Sequence, residues 1–208
     1  MGRGLESLGT DTPAALLDRS IEAQIELLQQ ARRTVRPESF EQAVDILDAA
    51  DRILTFAVEA AGNLTATFAL RVRRIGREAL SISASGAGLA DTLLTMRTGD
   101  ALVAIADEHS PTELTVVLAE ARNHGVPVIL LTDAISARTA EQFSVALISS
   151  RGDAGSFKTL TSTAVLLDTL LLGLAARDRA RSLLTLERFD RLRSQLTRRR
   201  GDAARHQT

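Results

Sequence analysis

The sequence predicts an α/β protein of three layers: a five-stranded parallel sheet flanked by helices, with extra helices at both ends of the chain. Three observations carry this expectation. Short segments such as Ala101–Ala106 (ALVAIA) are apolar throughout, as strands buried on both faces must be. Helical stretches separate these segments, which is the connection that parallel neighbours require. The two ends of the chain carry amphipathic helical patterns that stand outside this alternation.

Thr12-Pro13 reads as a helix start, with a capping hydroxyl followed by proline at the first helical position. Leu17, Ile21, Ile25 and Leu28 then recur at helical spacing among charged residues, and the helix ends near Val35, before Pro37. A second short helix, Ser39 to Ala50, carries Phe40, Val44 and Leu47 on one side. Arg52–Val58 reads as the first strand and Leu64–Ile75 as a helix closed by Gly76. Ala79–Ser83 is the second strand, and Leu89–Met96 the helix after it. Ala101–Ala106 is the third strand, followed by a helix over Thr112–His124 that Gly125 stops. Val126–Thr132 and Val145–Ser149 are the fourth and fifth strands. A long apolar helix over Thr159–Ala176 completes the unit, and Ser182–Thr197 is a last amphipathic helix. The organisation expected is a disordered N-terminus (1–11), a helical connector (12–50), the sheet domain (51–178), a C-terminal helix (179–198) and a flexible tail (199–208).

Composition narrows the function. A net charge of −1 supplies no field that would pull the whole molecule onto nucleic acid or an anionic membrane. No apolar run approaches the roughly 20 residues that span a bilayer, and MGRGLESLGTDTP lacks the apolar core of a signal peptide. There is no cysteine, which removes disulfide and thiolate chemistry and suits a reducing compartment, so a cytoplasmic location is expected. Tryptophan and tyrosine are absent too, leaving little aromatic surface for stacking on bases or sugars.

Several landmarks point to a family. They are Phe56 with Arg73-Arg74-Ile75-Gly76, Gly99-Asp100 with the ALVAIA strand, and Ala119-Glu120-Ala121 leading to Gly125-Val126-Pro127-Val128-Ile129. The last is Thr161-Ser162-Thr163-Ala164 with Leu167-Asp168. From Ala50 to Asp178 the chain resembles the sugar-isomerase (SIS) domain of RpiR-type transcriptional regulators, and its two N-terminal helices resemble the connector that precedes that domain. The resemblance implies the SIS fold, a homodimer or dimer of dimers, and a small-molecule effector held beyond the carboxyl ends of the strands. The long helix, through Leu166, Leu170 and Leu171, or the N-terminal helices would supply the interface. DNA contact is expected only through a helix-turn-helix, for which about a dozen residues before the first helix leave no room.

The ligand loops depart from the family. There the loop after strand one runs Gly-x-Gly-x-Ser and the loop after strand three Ser-x-Ser-Gly-x-Thr, and both hold a sugar phosphate with hydroxyls and backbone N–H groups. Here the first is Ala57-Val58-Glu59-Ala60-Ala61 and the second Ala106-Asp107-Glu108-His109-Ser110-Pro111. At an effective dielectric near 20, two like charges about 4 Å apart repel by about 4 kcal/mol. A charged hydrogen bond returns about 1.5–3 kcal/mol. Glu59, Asp107 and Glu108 therefore argue against phosphosugar binding in the family's manner.

The remaining candidates each have a structural rival. Ser110-Pro111-Thr112-Glu113 is a capping box, so Ser110 and Thr112 have work within the helix they open. His109 stands without a second histidine at ligand spacing, so no metal site is expected. Asn63 and Thr65, at the start of the first sheet helix, are polar contacts or caps. Ser83 and Ser85, after strand two, and Ser156, Lys158 and Thr159, before the long helix, line the same crevice. No nucleophile–base–acid set is visible, and no cofactor is expected. The reading is a non-catalytic, ligand-sensing and dimerising domain for a carbohydrate derivative or other small metabolite. A phosphosugar isomerase and a ligand-free structural dimer are the alternatives.

Overall fold

The computed structural model describes residues 12–82, 85–106, 112–133, 143–150, 153–154 and 157–205. Two helices come first, α1 (Pro13–Thr34) and α2 (Pro37–Ala49), followed by β1 (Arg52–Phe56), α3 (Glu59–Arg74), β2 (Glu78–Ile82), α4 (Gly86–Leu93), β3 (Asp100–Ala106), α5 (Thr112–Asn123), β4 (Val128–Thr132) and β5 (Val145–Ile148). A two-residue pair, β6 (Asp153–Ala154) and β7 (Phe157–Lys158), leads to α6 (Thr161–Arg177) and α7 (Arg179–Arg205).

The main sheet is parallel throughout, in the order β2-β1-β3-β4-β5. Alternation along β3 builds its two faces. Ala101, Val103 and Ile105 join Val44, Leu47, Phe68, Val72, Leu170 and Leu174, so α2, α3 and α6 cover one side. Leu102, Ala104 and Ala106 join Leu89, Leu93, Leu114 and Val117, so α4 and α5 cover the other. This is the expected three-layer, five-stranded fold. Ion pairs from Arg71 to Asp168 and Arg177 to Asp45 join helices of the first side at its surface, and Arg77, in the turn after α3, pairs with Asp48 of α2.

Some expectations are corrected. Helix α3 begins at Glu59, five residues before Leu64, because Glu-Ala-Ala already propagates a helix. The β6–β7 ribbon is an addition to the expected elements, and it places Lys158 in an antiparallel pair with Asp153 rather than in an open loop. Helix α7 runs past residue 198 to Arg205, since no proline interrupts it. Leu166, Leu170 and Leu171 are buried in the core of the chain itself and offer no free face.

At the amino edge of the sheet β1 and β3 are locked by charge. Register pairs Arg52 with Asp100. Arg52 Nε donates to Asp100 Oδ1 at 2.9 Å and Arg52 Nη2 to Oδ2 at 2.6 Å. Nη2 also donates to the Thr95 carbonyl, and the Arg97 N–H to Asp100 Oδ2. Hydrogen bonding to Asp100 raises the Arg52 pKa above its ordinary value, against desolvation that lowers it. The guanidinium thus stays charged wherever the chain folds. Gly76, at φ +86°, closes α3, and a Cβ there would stand 2.6 Å from Thr185 Oγ1 of α7. The ring of Phe189 in α7 lies 4.5 Å beneath the Arg74 guanidinium.

Removing one partner of a buried ion pair strands the other. Asp100→Asn is expected to cost about 3–5 kcal/mol in urea unfolding, and the apolar pair Arg52→Met with Asp100→Leu far less. A loss below about 1 kcal/mol for Asp100→Asn would show that the pair is not needed.

Candidate functional site

Strand order reverses between β1 and β3, whose chain neighbours lie on opposite sides, and a parallel sheet opens its ligand crevice at that point beyond the carboxyl ends. Helices α3, α4, α5 and α6 all begin at this edge.

The first element is the turn from β1 into α3. Ala57 is buried, Val58 half-buried and Glu59 exposed. Gly62 lies so close beneath the turn that a Cβ on it would be 3.3 Å from the Ala57 carbonyl oxygen. Glu59 has φ +52°, the left-handed region, and among the described residues it is the one non-glycine with positive φ. That conformation costs about 1–2 kcal/mol for a residue with a Cβ. The turn therefore has a shape suited to glycine while carrying a carboxylate. Val58, the residue before the helix, has no side-chain hydrogen bond to the first turn, and Glu59 is the acidic residue of that turn, at the positive end of α3.

Hydroxyls knit the rest of the edge. Thr55 Oγ1 donates to the Thr65 carbonyl at 3.2 Å, and Thr65 Oγ1 to the Gly62 carbonyl at 2.9 Å; both threonines are fully buried. Ser149, just after β5, takes its backbone N–H to the Thr132 carbonyl and shares a 2.8 Å hydrogen bond with Thr163 Oγ1 in the first turn of α6. Ser162 Oγ donates to the Ser150 carbonyl. These hydroxyls anchor α3 and α6 to the strand ends. Thr159 Oγ1, just before α6, is buried without a hydrogen-bond partner.

The sequence candidates fall unevenly on this frame. Glu59 stands at the edge as expected. Asn63 is exposed one turn inside α3, so it is not a cap, and its carbonyl accepts from Thr67 Oγ1. Ser85 precedes α4, exposed and with no side-chain bond to the helix. Thr112 is the exposed first residue of α5. Ser83, Asp107, Glu108, His109, Ser110 and Ser156 lie outside the described residues, and so does the side chain of Lys158. Thr55, Ser149, Ser162 and Thr163 are edge residues that the sequence does not single out as such, although Ser162 and Thr163 stand among the family landmarks. Their signal is a hydroxyl at the end of an apolar strand or the start of an apolar helix.

Beside the edge, α4 and α5 leave a groove of about 550 Å³ between them. Its walls are apolar, with Leu93, Leu94 and Val116, and its charged lining consists of Glu113 and Glu120. Among the described residues no Lys or Arg lines it. Among the described residues no cluster of His, Cys, Asp and Glu is arranged to hold a metal ion, and no helix is long and apolar enough to cross a membrane.

A five-stranded parallel sheet covered by helices on both faces, with its switch point between β1 and β3, defines the class: a three-layer α/β domain. Residues 46–173 match the SIS domain family, and the chain belongs to it. Solved structures share the fold at low identity. The sugar isomerase domain of an RpiR transcription factor from Sphaerobacter thermophilus is 23% identical with a TM-score of 0.77, covering 82% of this chain and 96% of that one. The Vibrio vulnificus NanR protein, complexed with ManNAc-6P, is 20% identical with a TM-score of 0.75, over 91% and 71%. Phosphoheptose isomerase GmhA from Neisseria gonorrhoeae is 15% identical with a TM-score of 0.67, over 79% and 100%. No curated protein matches the sequence.

The left-handed turn gives a direct test. Glu59→Gly relieves the strained φ and is expected to stabilise the chain by up to about 1 kcal/mol, once the lost helix-end charge, about 0.3–1 kcal/mol, is set against it. Glu59→Gln keeps the strain and loses the charge, so it is expected to destabilise. Urea midpoints that rank Gln above Gly would contradict the turn geometry.

Proposed function

We propose that this chain is a non-catalytic sensing domain of an RpiR-like transcriptional regulator, and that its effector is a carbohydrate derivative or other small metabolite lacking a phosphate. The observation that carries the reading is Glu59. A side-chain carboxylate occupies the first turn of α3, beside the switch point, on a backbone with the left-handed φ of a glycine turn. An anion docking there would meet the Glu59 carboxylate beside the N–H groups of the first turn. The neighbouring α4–α5 groove supports the same conclusion, since its charged lining is acidic. A neutral or cationic ligand suits both.

The regulator reading, rather than an enzyme, rests on chemistry. Among the hydroxyls described at the edge, Thr55, Thr65, Ser149, Ser162 and Thr163 are committed to packing bonds. None is paired with a histidine or carboxylate that could activate it. An aldose–ketose isomerisation needs a base positioned at the sugar carbon. The likeness to regulator domains agrees with this reading, but the likeness to a phosphoheptose isomerase extends equally to the fold, so the choice falls to experiment.

A thermal-shift panel of phosphosugars, neutral sugars, amino sugars and amines tests the proposal. A ligand at 100 times its dissociation constant stabilises by about 2.7 kcal/mol. The expected outcome is a shift with a neutral or cationic compound and none with phosphosugars. Glu59→Gly combined with Ala61→Ser is expected to gain phosphosugar affinity measurable by calorimetry. Phosphosugar binding by the parent chain, or turnover of a phosphosugar, would overturn the reading.

A further inference from the structure

The groove between α4 and α5 has its charges at two separate places. Glu113 lies in the first turn of α5 and Glu120 seven residues on, so the two share one face of the helix, about 10.5 Å apart along its axis. Between them the surface is apolar. Leu94 and Val116 are 84 and 49% exposed there, and Leu89 and Leu93, both buried, complete the wall. The two glutamates are half-buried, and neither has a Lys or Arg partner among the described residues. Glu120 is held in place: Asn123 Nδ2 donates to its Oε2 at 3.2 Å, and His124 Nε2 lies 3.0 Å from its Oε1. The groove, about 550 Å³ in volume, has the size of a small-molecule site, about 300–1,000 Å³. A helix, about 10–12 Å across with its side chains, would stand largely outside it.

We propose that the α4–α5 groove binds an elongated aliphatic diamine or polyamine. One ammonium pairs with Glu113 and another with Glu120, while the methylene chain between them covers Leu93, Leu94 and Val116. Each part of the groove then has its counterpart in the ligand. A half-buried carboxylate favours a cation, and a carboxylate at each end of an apolar strip favours two cations joined by an apolar chain. Every methylene that the leucines and Val116 remove from water adds to affinity, so the walls reward a long chain over a compact cation. The site runs down the flank of the domain from the edge, and Glu59 is not among its lining residues. The proposal therefore goes beyond the effector reading and does not depend on it.

Titration calorimetry with three amines tests each part: diaminooctane with its amines at the two ends, octylamine, and diaminobutane. Diaminooctane is expected to bind the parent chain at least about tenfold more tightly than either of the others, which corresponds to about 1.4 kcal/mol. Octylamine brings one charge, and diaminobutane is too short to reach both carboxylates. In Glu120→Gln the second ammonium has nothing to meet, so diaminooctane and octylamine are expected to bind alike. Glu113→Gln should have the same effect, and glutamine keeps the capping capacity of that position, so melting should stay near the parent's. No binding of diaminooctane, a diamine no tighter than the monoamine, or a preference that survives both substitutions would each overturn the proposal. Diamine binding lost in Glu59→Gln but intact in both groove variants would place the cation in the crevice, which overturns this proposal and leaves the effector reading standing. Phosphosugar binding alongside the expected diamine pattern would do the reverse.

Discussion

The bidentate pair between Arg52 and Asp100 is the constraint on which the rest of the sheet depends. Two charges that are almost wholly buried tolerate one geometry, in which each finds the hydrogen bonds that water would have given. Sliding β1 by one residue against β3 would separate them and turn every core side chain of the strand to the opposite face. The register fixed at the amino edge also fixes the carboxyl edge. β1 ends at Phe56, opposite Ala104, while β3 runs on to Ala106. The two loops at the switch point therefore start at different heights. That step, set from the far end of the strands, shapes the crevice.

At the crevice a glycine-like turn carries a charged side chain. The backbone makes a left-handed turn into α3, and Gly62 lets the helix come close under the Ala57 carbonyl. Packing below the turn explains why. Thr65 is fully buried and bonded on both sides, to Gly62 within the helix and to Thr55 in the strand, so α3 has no freedom to unwind its first turn. A residue placed at position 59 must take the turn as it finds it. Glutamate accepts the strain, and in return its charge lies at the positive end of the helix.

Much of this is legible in the sequence, for physical reasons. Strands buried on both faces have to be apolar throughout, so RILTF, ALVAIA and VILLT announce themselves, and glycines such as Gly76 and Gly125 mark helix ends because those positions have positive φ. The start of α3 is obscured, since Glu-Ala-Ala-Gly-Asn combines helix formers with residues typical of loops. The β6–β7 ribbon is hidden because strands of two residues have no period to detect. The identity of Glu59 can be read from the sequence but its conformation cannot, because a positive φ is ordinarily signalled by glycine and here the signal is absent. The hydroxyl anchors are the least visible. Thr55 reads as a strand residue and Ser162 and Thr163 as a helix start, and only the fold brings Thr163 to Ser149.

Helix α6 connects these features. Its first turn is tied to the carboxyl edge through Thr163 to Ser149 and Ser162 to Ser150. Its middle fills the core through Leu166, Leu167, Leu170, Leu171 and Leu174, and its outer side receives α1 and α2. A change in how the edge is occupied therefore bears on a rigid rod whose far side supports α1. Rods packed this tightly shift as units rather than bending, because their neighbours leave no space for partial adjustment. The buried polar anchors of α6 lie at its end at the edge; further along, its buried contacts are apolar and its ion pairs, Asp168 with Arg71 and Arg177 with Asp45, lie at the surface. Apolar contacts are not directional and tolerate small sliding, whereas a hydroxyl pair at 2.8 Å does not. The end of α6 that a ligand would approach is thus the end whose position is most sharply defined.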